Sequence, residues 1–216
     1  MKKIFWDNPY QSTLQTKILY LQGQEFVPEE TIAYSFSGGQ ESDKAWVDGV
    51  EILGSRMEGP LIFYHLPENH SFLVNQKVTM TIDWPRRYRL MRLHFAAELI
   101  LELITRKYCL LKIGAHISEL KARIDFQSEQ NISVIFEELL KAYSTIIYSD
   151  APIEKGFTDV QNQRRFWKID GFAEVPCGGT HVRSTAEVGM IKLKRSHPGK
   201  GVERIEITLE DTVSCS

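Results

Sequence analysis

The chain has little cysteine. Three occur in 216 residues, Cys109, Cys177 and Cys215, odd in number and far apart. That spacing argues against a disulfide framework and makes reduced thiols in a cytoplasmic protein the simpler expectation. There is also no long apolar run. The most apolar stretch, Leu90 to Ile104, is broken by Arg92, His94, Glu98 and Glu102, so no membrane span is expected. The first residues, MKKIFWDNPYQ, turn polar too soon for a secretory signal. Neither sign of charge is in excess: 26 Lys and Arg stand against 28 Asp and Glu. A general nucleic-acid coat is thereby excluded, because its affinity comes from neutralised phosphates, but a local basic patch is not. No repeat or low-complexity segment occurs.

What is present is ordinary globular composition, 43% hydrophobic and 25% charged, with enough length for one large domain or two small ones. Before residue 83, "KILYLQG", "TIAYSF", "KAWVDGVEILG", "PLIFYHL" and "KVTMTID" are rich in Ile, Val, Tyr and Phe and read as short strands. Asp48-Gly49 marks a tight hairpin. The spacing predicts a small β-barrel. Asp83 and Pro85 then mark a helix start, and no Gly or Pro follows until after Lys107. Leu90, His94, Ala97, Glu98 and Leu101 share one helical stripe. "SVIFEELLKAYSTII" reads as a second, amphipathic helix, and "RFWKIDGFAEV", "GMIKLKR" and "VERIEITLE" as strands. The expectation is an α+β protein: a barrel domain over 1–85 and an α+β domain over 86–216.

Two pieces carry chemistry. In "VPCGGTHV", Cys177 and His181 stand four apart, with two glycines that let the backbone turn closely and leave room beside the side chains. On the long helix, His94 and Glu98 are neighbours on an otherwise apolar face, where a carboxylate needs a partner or a metal. Together, His94, Glu98, Cys177 and His181 offer the nitrogen, oxygen and sulfur donors that suit tetrahedral zinc. Without Glu98, three protein ligands and an open position remain. Each pair also has a plain structural reading, a buried hydrogen bond or a satisfied core polar group.

"IDWPRRYRLMRLHFAAE", then "CGGTHVRSTAEVG", with "TIAYSFSGGQESDK" before them and "GKGVERIE" after, resemble the motifs of alanyl-tRNA editing proteins and of the editing domain of alanyl-tRNA synthetase. The resemblance runs from about Thr31 to Glu206. It implies a free-standing hydrolase that cuts serine, or glycine, from the 3′ end of tRNA(Ala), a task that exists because an alanine pocket rejects such close analogues weakly. It implies zinc as cofactor, held by His94, Cys177 and His181, with Glu98 where the family pattern has a histidine. Glu98 is thus a fourth ligand, a general base beside the metal, or a bystander. Thr31 falls where the family uses a threonine hydroxyl near the substrate side chain. Ser37, Gly38, Gly39 and Gln40 match a glycine-rich motif whose backbone approaches the terminal adenosine. Glu98, Thr31 and Gln40 are therefore the candidate catalytic residues, and Thr31, Tyr34, Gly38, Gly39, Gln40 and Arg92 candidate substrate contacts. Ala33 and Ser35 depart from the family pattern around Tyr34.

Lys192, Lys194, Arg195, Lys200 and Arg204 form a basic cluster suited to acceptor-stem phosphates; a solvated strand edge is the other reading. Arg86, Arg87 and Arg92 either reach the RNA end or pair with acids such as Asp83. His65, His70, His116 and His197 lack ligand partners at usable spacing. Two other functions stay open: a relative that binds tRNA or a nucleotide-ended ligand without hydrolysis, and a zinc hydrolase of small aminoacyl esters or amides.

Overall fold

Strand-forming residues crowd the first third of the chain. In the computed structural model, which describes residues 1–210, they build a seven-stranded antiparallel sheet. Its order is Val50–Glu51, Ala45–Val47, Lys77–Ile82, Thr13–Gln22, Glu25–Pro28, Leu61–His65 and Gly54–Glu58. Cys215 lies outside the described residues. The strand Thr13–Gln22 pairs with Lys77–Ile82 through its first half and with Glu25–Pro28 through its second, with a register shift between Ile18 and Tyr20. Such a shift bends a strand and lets a sheet curl. No pairing joins the two edge strands, so the sheet is a curled half-barrel where the strand spacing predicted a barrel. The hairpin at Asp48-Gly49 is present, with positive φ at both residues (46° and 81°), as a two-residue turn between twisted strands requires.

"TIAYSF" is the main departure. Only Glu30–Thr31 is strand there. Side chains take the amides that a ladder would use: Ala33 N donates to Thr31 Oγ1, Tyr34 N to Asp43 Oδ2, and Phe36 N to Ser42 Oγ. These local bonds compete successfully with strand pairing.

The chain divides into two compact units. The first holds Met1–Ser37 and Glu41–Tyr88; the second holds Gly38–Gln40 and the chain from Arg89 onward. In the first unit, Phe5, Ile18, Phe26, Val47, Tyr64 and Met80 anchor the core. Arg87 is fully buried among them. Its guanidinium pairs with Asp43 and donates to Pro9 O at 2.9 Å and Ile32 O at 2.7 Å, so this charge is spent inside the unit. Arg86 pairs with Glu41 at 2.7 Å.

The helix Trp84–Tyr108 begins where the sequence places it. Asp83 Oδ1 accepts from Arg86 N at 3.0 Å, and Pro85 sits in the first turn, where its missing N–H costs nothing. Leu90, Met91, Leu93, Phe95, Ala96, Leu99 and Ile100 are all fully buried, so the helix is enclosed on most sides. The second helix, Phe136–Tyr148, buries Leu139, Tyr143 and Ile147 on one face. The second unit also holds a four-stranded antiparallel sheet in the order Leu111–Ile117, Ala122–Gln127, Val202–Leu209, Ile191–Gly199, and a three-stranded one of Glu154–Asp159, Arg164–Ile169 and Ala173–Pro176. Ile205 and Ile207 are buried and alternate with half-exposed polar residues. Among the described residues, no helix is long and apolar enough to cross a membrane.

Candidate metal centre

The enclosed helix carries His94 into the interior, where it is 3% exposed. The strand Ala173–Pro176 ends at Cys177, and the turn that follows brings His181 back beside it. His94 Nε2 lies 3.2 Å from Cys177 Sγ, and His181 Nε2 lies 3.3 Å from the same sulfur. The two rings stand edge to face, 5.1 Å apart. Among the described residues this is the one group of three or more His, Cys, Asp or Glu able to hold a metal ion, its ligand atoms all within 4.8 Å of one another.

Glycine makes the approach possible. A β-carbon on Gly179 would meet His94 Cε1 at 2.0 Å, so no side chain fits there. Phe95 packs edge to face against both His181, at 5.5 Å between rings, and Trp167, at 5.0 Å. Cys109 and Cys177 are both free thiols.

Glu98 is beside this group but not part of it. Its Oε1 is 3.5 Å from His94 Nε2, and its Oε2 accepts from Trp167 Nε1 at 3.1 Å. Burial raises its pKa, but hydrogen bonding and attraction from His94 outweigh that and hold it below the usual carboxylate value. The two histidines are driven apart. Burial pushes His94 down, but Cys177 and Glu98 override it and hold its pKa at about 10. Burial and then repulsion from His94 push His181 well below its ordinary value, which leaves a neutral ring. Among the described residues, His181 Nδ1 is buried with no hydrogen-bond partner.

Of the other predicted residues, Gln40 joins the centre. It is fully buried, with Oε1 2.5 Å from His94 Nδ1. Gly38 and Gly39 precede it with φ of 60° and 89°. Arg92 Nε donates to Val188 O at 3.0 Å. Thr31 and Tyr34 belong to the first unit and are both buried there. The Tyr64 hydroxyl donates to Ala33 O, so it accepts from Thr31 Oγ1 at 2.6 Å. Tyr34 donates to Ser37 O. In the basic cluster, Arg195 donates through Nε and Nη2 to Glu203, and Arg204 through the same two nitrogens to Asp125; Lys192, Lys194 and Lys200 are exposed. Trp167 and Thr180 were not singled out from the sequence. Thr180 lies inside the CGGTH motif, but nothing local marks Trp167 as the partner of a helix residue 69 positions away.

The second unit contains a match to a known family: residues 165–206 fit the model of the threonyl and alanyl tRNA synthetase second additional domain. That matched stretch includes Cys177 and His181 of the His–Cys–His group. Beyond it, the chain is similar along nearly its whole length to alanyl-tRNA editing proteins. It is 29% identical over 214 residues to the alanyl-tRNA editing protein AlaX-M of Pyrococcus horikoshii, covering 97% of this chain and 98% of that one. The AlaX-M protein of Saccharolobus solfataricus is 29% identical over 240 residues, covering 97% and 99%. The alanine–tRNA ligase of Methanococcus maripaludis is 27% identical over 226 residues, but this chain spans only 25% of it.

Proposed function

We propose that the chain hydrolyses the ester linking serine, or glycine, to mischarged tRNA(Ala), at a site that holds zinc. The His94–Cys177–His181 group, two buried histidines around a half-buried cysteine, carries the reading, and the end-to-end likeness to editing proteins supports it. The donor set fits zinc. A tetrahedral ion with Zn–N about 2.0 Å and Zn–S about 2.3 Å separates nitrogen from sulfur by about 3.5 Å. The observed 3.2 and 3.3 Å need to open by only a few tenths. His181 is neutral, as a ligand must be, and the fourth position is left to solvent or substrate.

Zinc bound there supplies a Lewis acid for the ester carbonyl and an anchor for the terminal ribose or amino group. The chain's own residues do the rest. Glu98, ionised and steadied by the Trp167 N–H, accepts a proton from the attacking water as general base. That proton then passes to the 3′ oxygen of the leaving ribose. Glu98's position outside the three-residue group favours the base role over the ligand role. Exposed Lys192, Lys194 and Lys200 contact acceptor-end phosphates, whereas Arg195 and Arg204 serve the fold through Glu203 and Asp125. For Thr31 to recognise the serine hydroxyl, its Oγ1 must exchange Tyr64 for the substrate. The working compartment under this reading is the cytoplasm, where tRNA is charged.

The test is incubation with seryl-tRNA(Ala), following release of serine, with alanyl-tRNA(Ala) as the control. Rapid release from the first and not the second is expected. Binding of tRNA without release would instead favour a binding protein, and release from small aminoacyl esters that tRNA does not inhibit would favour a small-ester hydrolase.

A further inference from the structure

Gln40 is an amide buried to 0% exposure, and every polar atom of its side chain is engaged. Its Nε2 donates to Thr180 Oγ1 at 2.9 Å. Its Oε1 is 3.3 Å from Thr180 N and 2.5 Å from His94 Nδ1. The Thr180 backbone N–H can only donate, so the Gln40 atom facing it is the oxygen. The same oxygen faces His94 Nδ1, which must then be the donor.

The backbone beneath Gln40 is equally fixed. Ile117 N donates to Gly39 O at 2.8 Å, and Gln40 bridges to Ile117. A β-carbon on Gly39 would meet Ala115 O at 2.7 Å, and φ there is +89°, so only glycine allows the segment to seat against that strand. Gly179 closes on the His94 ring from another side.

We propose that Gln40 is a positioning residue: it fixes the hydrogen of His94 on Nδ1, so that Nε2 is the nitrogen presented to a metal, and through Thr180 it ties the Cys177–His181 turn to that ring. A metal-bound histidine generally donates its other ring N–H to such an acceptor, which sets ring orientation and strengthens the ligand. Gln40 is then neither a proton-transfer group nor a substrate contact. The inference rests on the metal reading only for its second half; the placement of the Nδ1 hydrogen does not depend on a metal.

The experiment uses the full-length protein with ¹⁵N-labelled histidine, in metal-free and zinc-loaded forms. Wild type should show a slowly exchanging, strongly deshielded His94 Nδ1–H in both. Gln40→Leu, which keeps the bulk and removes the acceptor, should lose that signal and bind zinc roughly 10- to 100-fold more weakly. Gln40→Glu keeps the acceptor, and Thr180 Oγ1–H can turn to donate to it, so both the signal and zinc affinity within a few-fold of wild type should survive. An unchanged Nδ1–H in Gln40→Leu overturns the proposal. So does an equal loss in Gln40→Glu and Gln40→Leu, which would make packing and not the acceptor the cause. If wild type takes up no zinc but keeps the Gln40-dependent signal, the metal reading fails and the positioning role stands.

Discussion

Gly179 lies so close to the His94 imidazole that a β-carbon placed on it would stand 2.0 Å from Cε1. The glycine and the histidine are 85 positions apart in the sequence, one in a turn and one on a helix, and they specify each other. Gly179→Ala should therefore push the ring out of line with Cys177 and His181. We expect zinc affinity to fall at least roughly 10-fold with little change in helix content, read by chelator competition and circular dichroism. Unchanged affinity would mean that the turn can retreat without cost.

Glu98→Ala separates base from ligand. As a base, its loss should leave one zinc per chain and slow serine release by roughly a hundredfold or more. If the metal is lost instead, and Glu98→His restores it, Glu98 is the fourth ligand. Retention of both metal and rate would leave the carboxylate no part in the chemistry.

Glu203 is 1% exposed and accepts from Arg195, from His197 Nδ1 at 3.0 Å and from Ile132 N at 3.1 Å. The bidentate bond from Arg195, chiefly, holds its pKa at about 2 in the folded protein. A depressed carboxylate contributes stability that is complete above its unfolded pKa, about 4.5, and drains away as pH falls toward 2. Thermal unfolding followed from pH 6 to 2 should show a decline between 4.5 and 2 that is much shallower in Glu203→Gln. Parallel curves would assign acid sensitivity to other carboxylates.

Thr31→Val tests two roles at once. The hydroxyl accepts from Ala33 N and donates to Tyr64, so its removal should cost on the order of 1 kcal/mol of stability, seen as a lower urea midpoint. If it also recognises the serine hydroxyl, serine release should fall more than glycine release. An equal effect on both substrates would confine Thr31 to the fold.

Much of the centre was legible because its parts are local. Helical spacing put His94 and Glu98 on one face, and the CGGTH turn gave Cys177 and His181. What spacing leaves undetermined is depth and direction. Glu98 shares the face of His94, yet one oxygen is drawn to Trp167, a partner set by tertiary packing. Gln40 stood in a glycine-rich motif that suggested backbone contact with a ligand; the motif gave no sign that its side chain meets His94 and Thr180. The strand expected at "TIAYSF" dissolved because Asp43 and Ser42, some residues later, capture its amides. The strands Leu111–Ile117 and Ala122–Gln127 passed unnoticed for a related reason. Leu111 and Ile113 are exposed, and Asp125 is buried only because Arg123 and Arg204 accompany it. In the basic cluster, charge alone could not distinguish Arg195 and Arg204, committed to acids, from the exposed lysines.

The path of the chain between its two units sets a limit on modularity. It changes unit after Ser37, after Gln40 and again after Tyr88. No single cut separates the two. A fragment begun at Arg89 would keep His94, Cys177 and His181 but lack Gln40, and the complementary fragment would carry that residue away with the half-barrel. Recombination that swapped the continuous stretch 1–88 for an unrelated one would remove the amide as well.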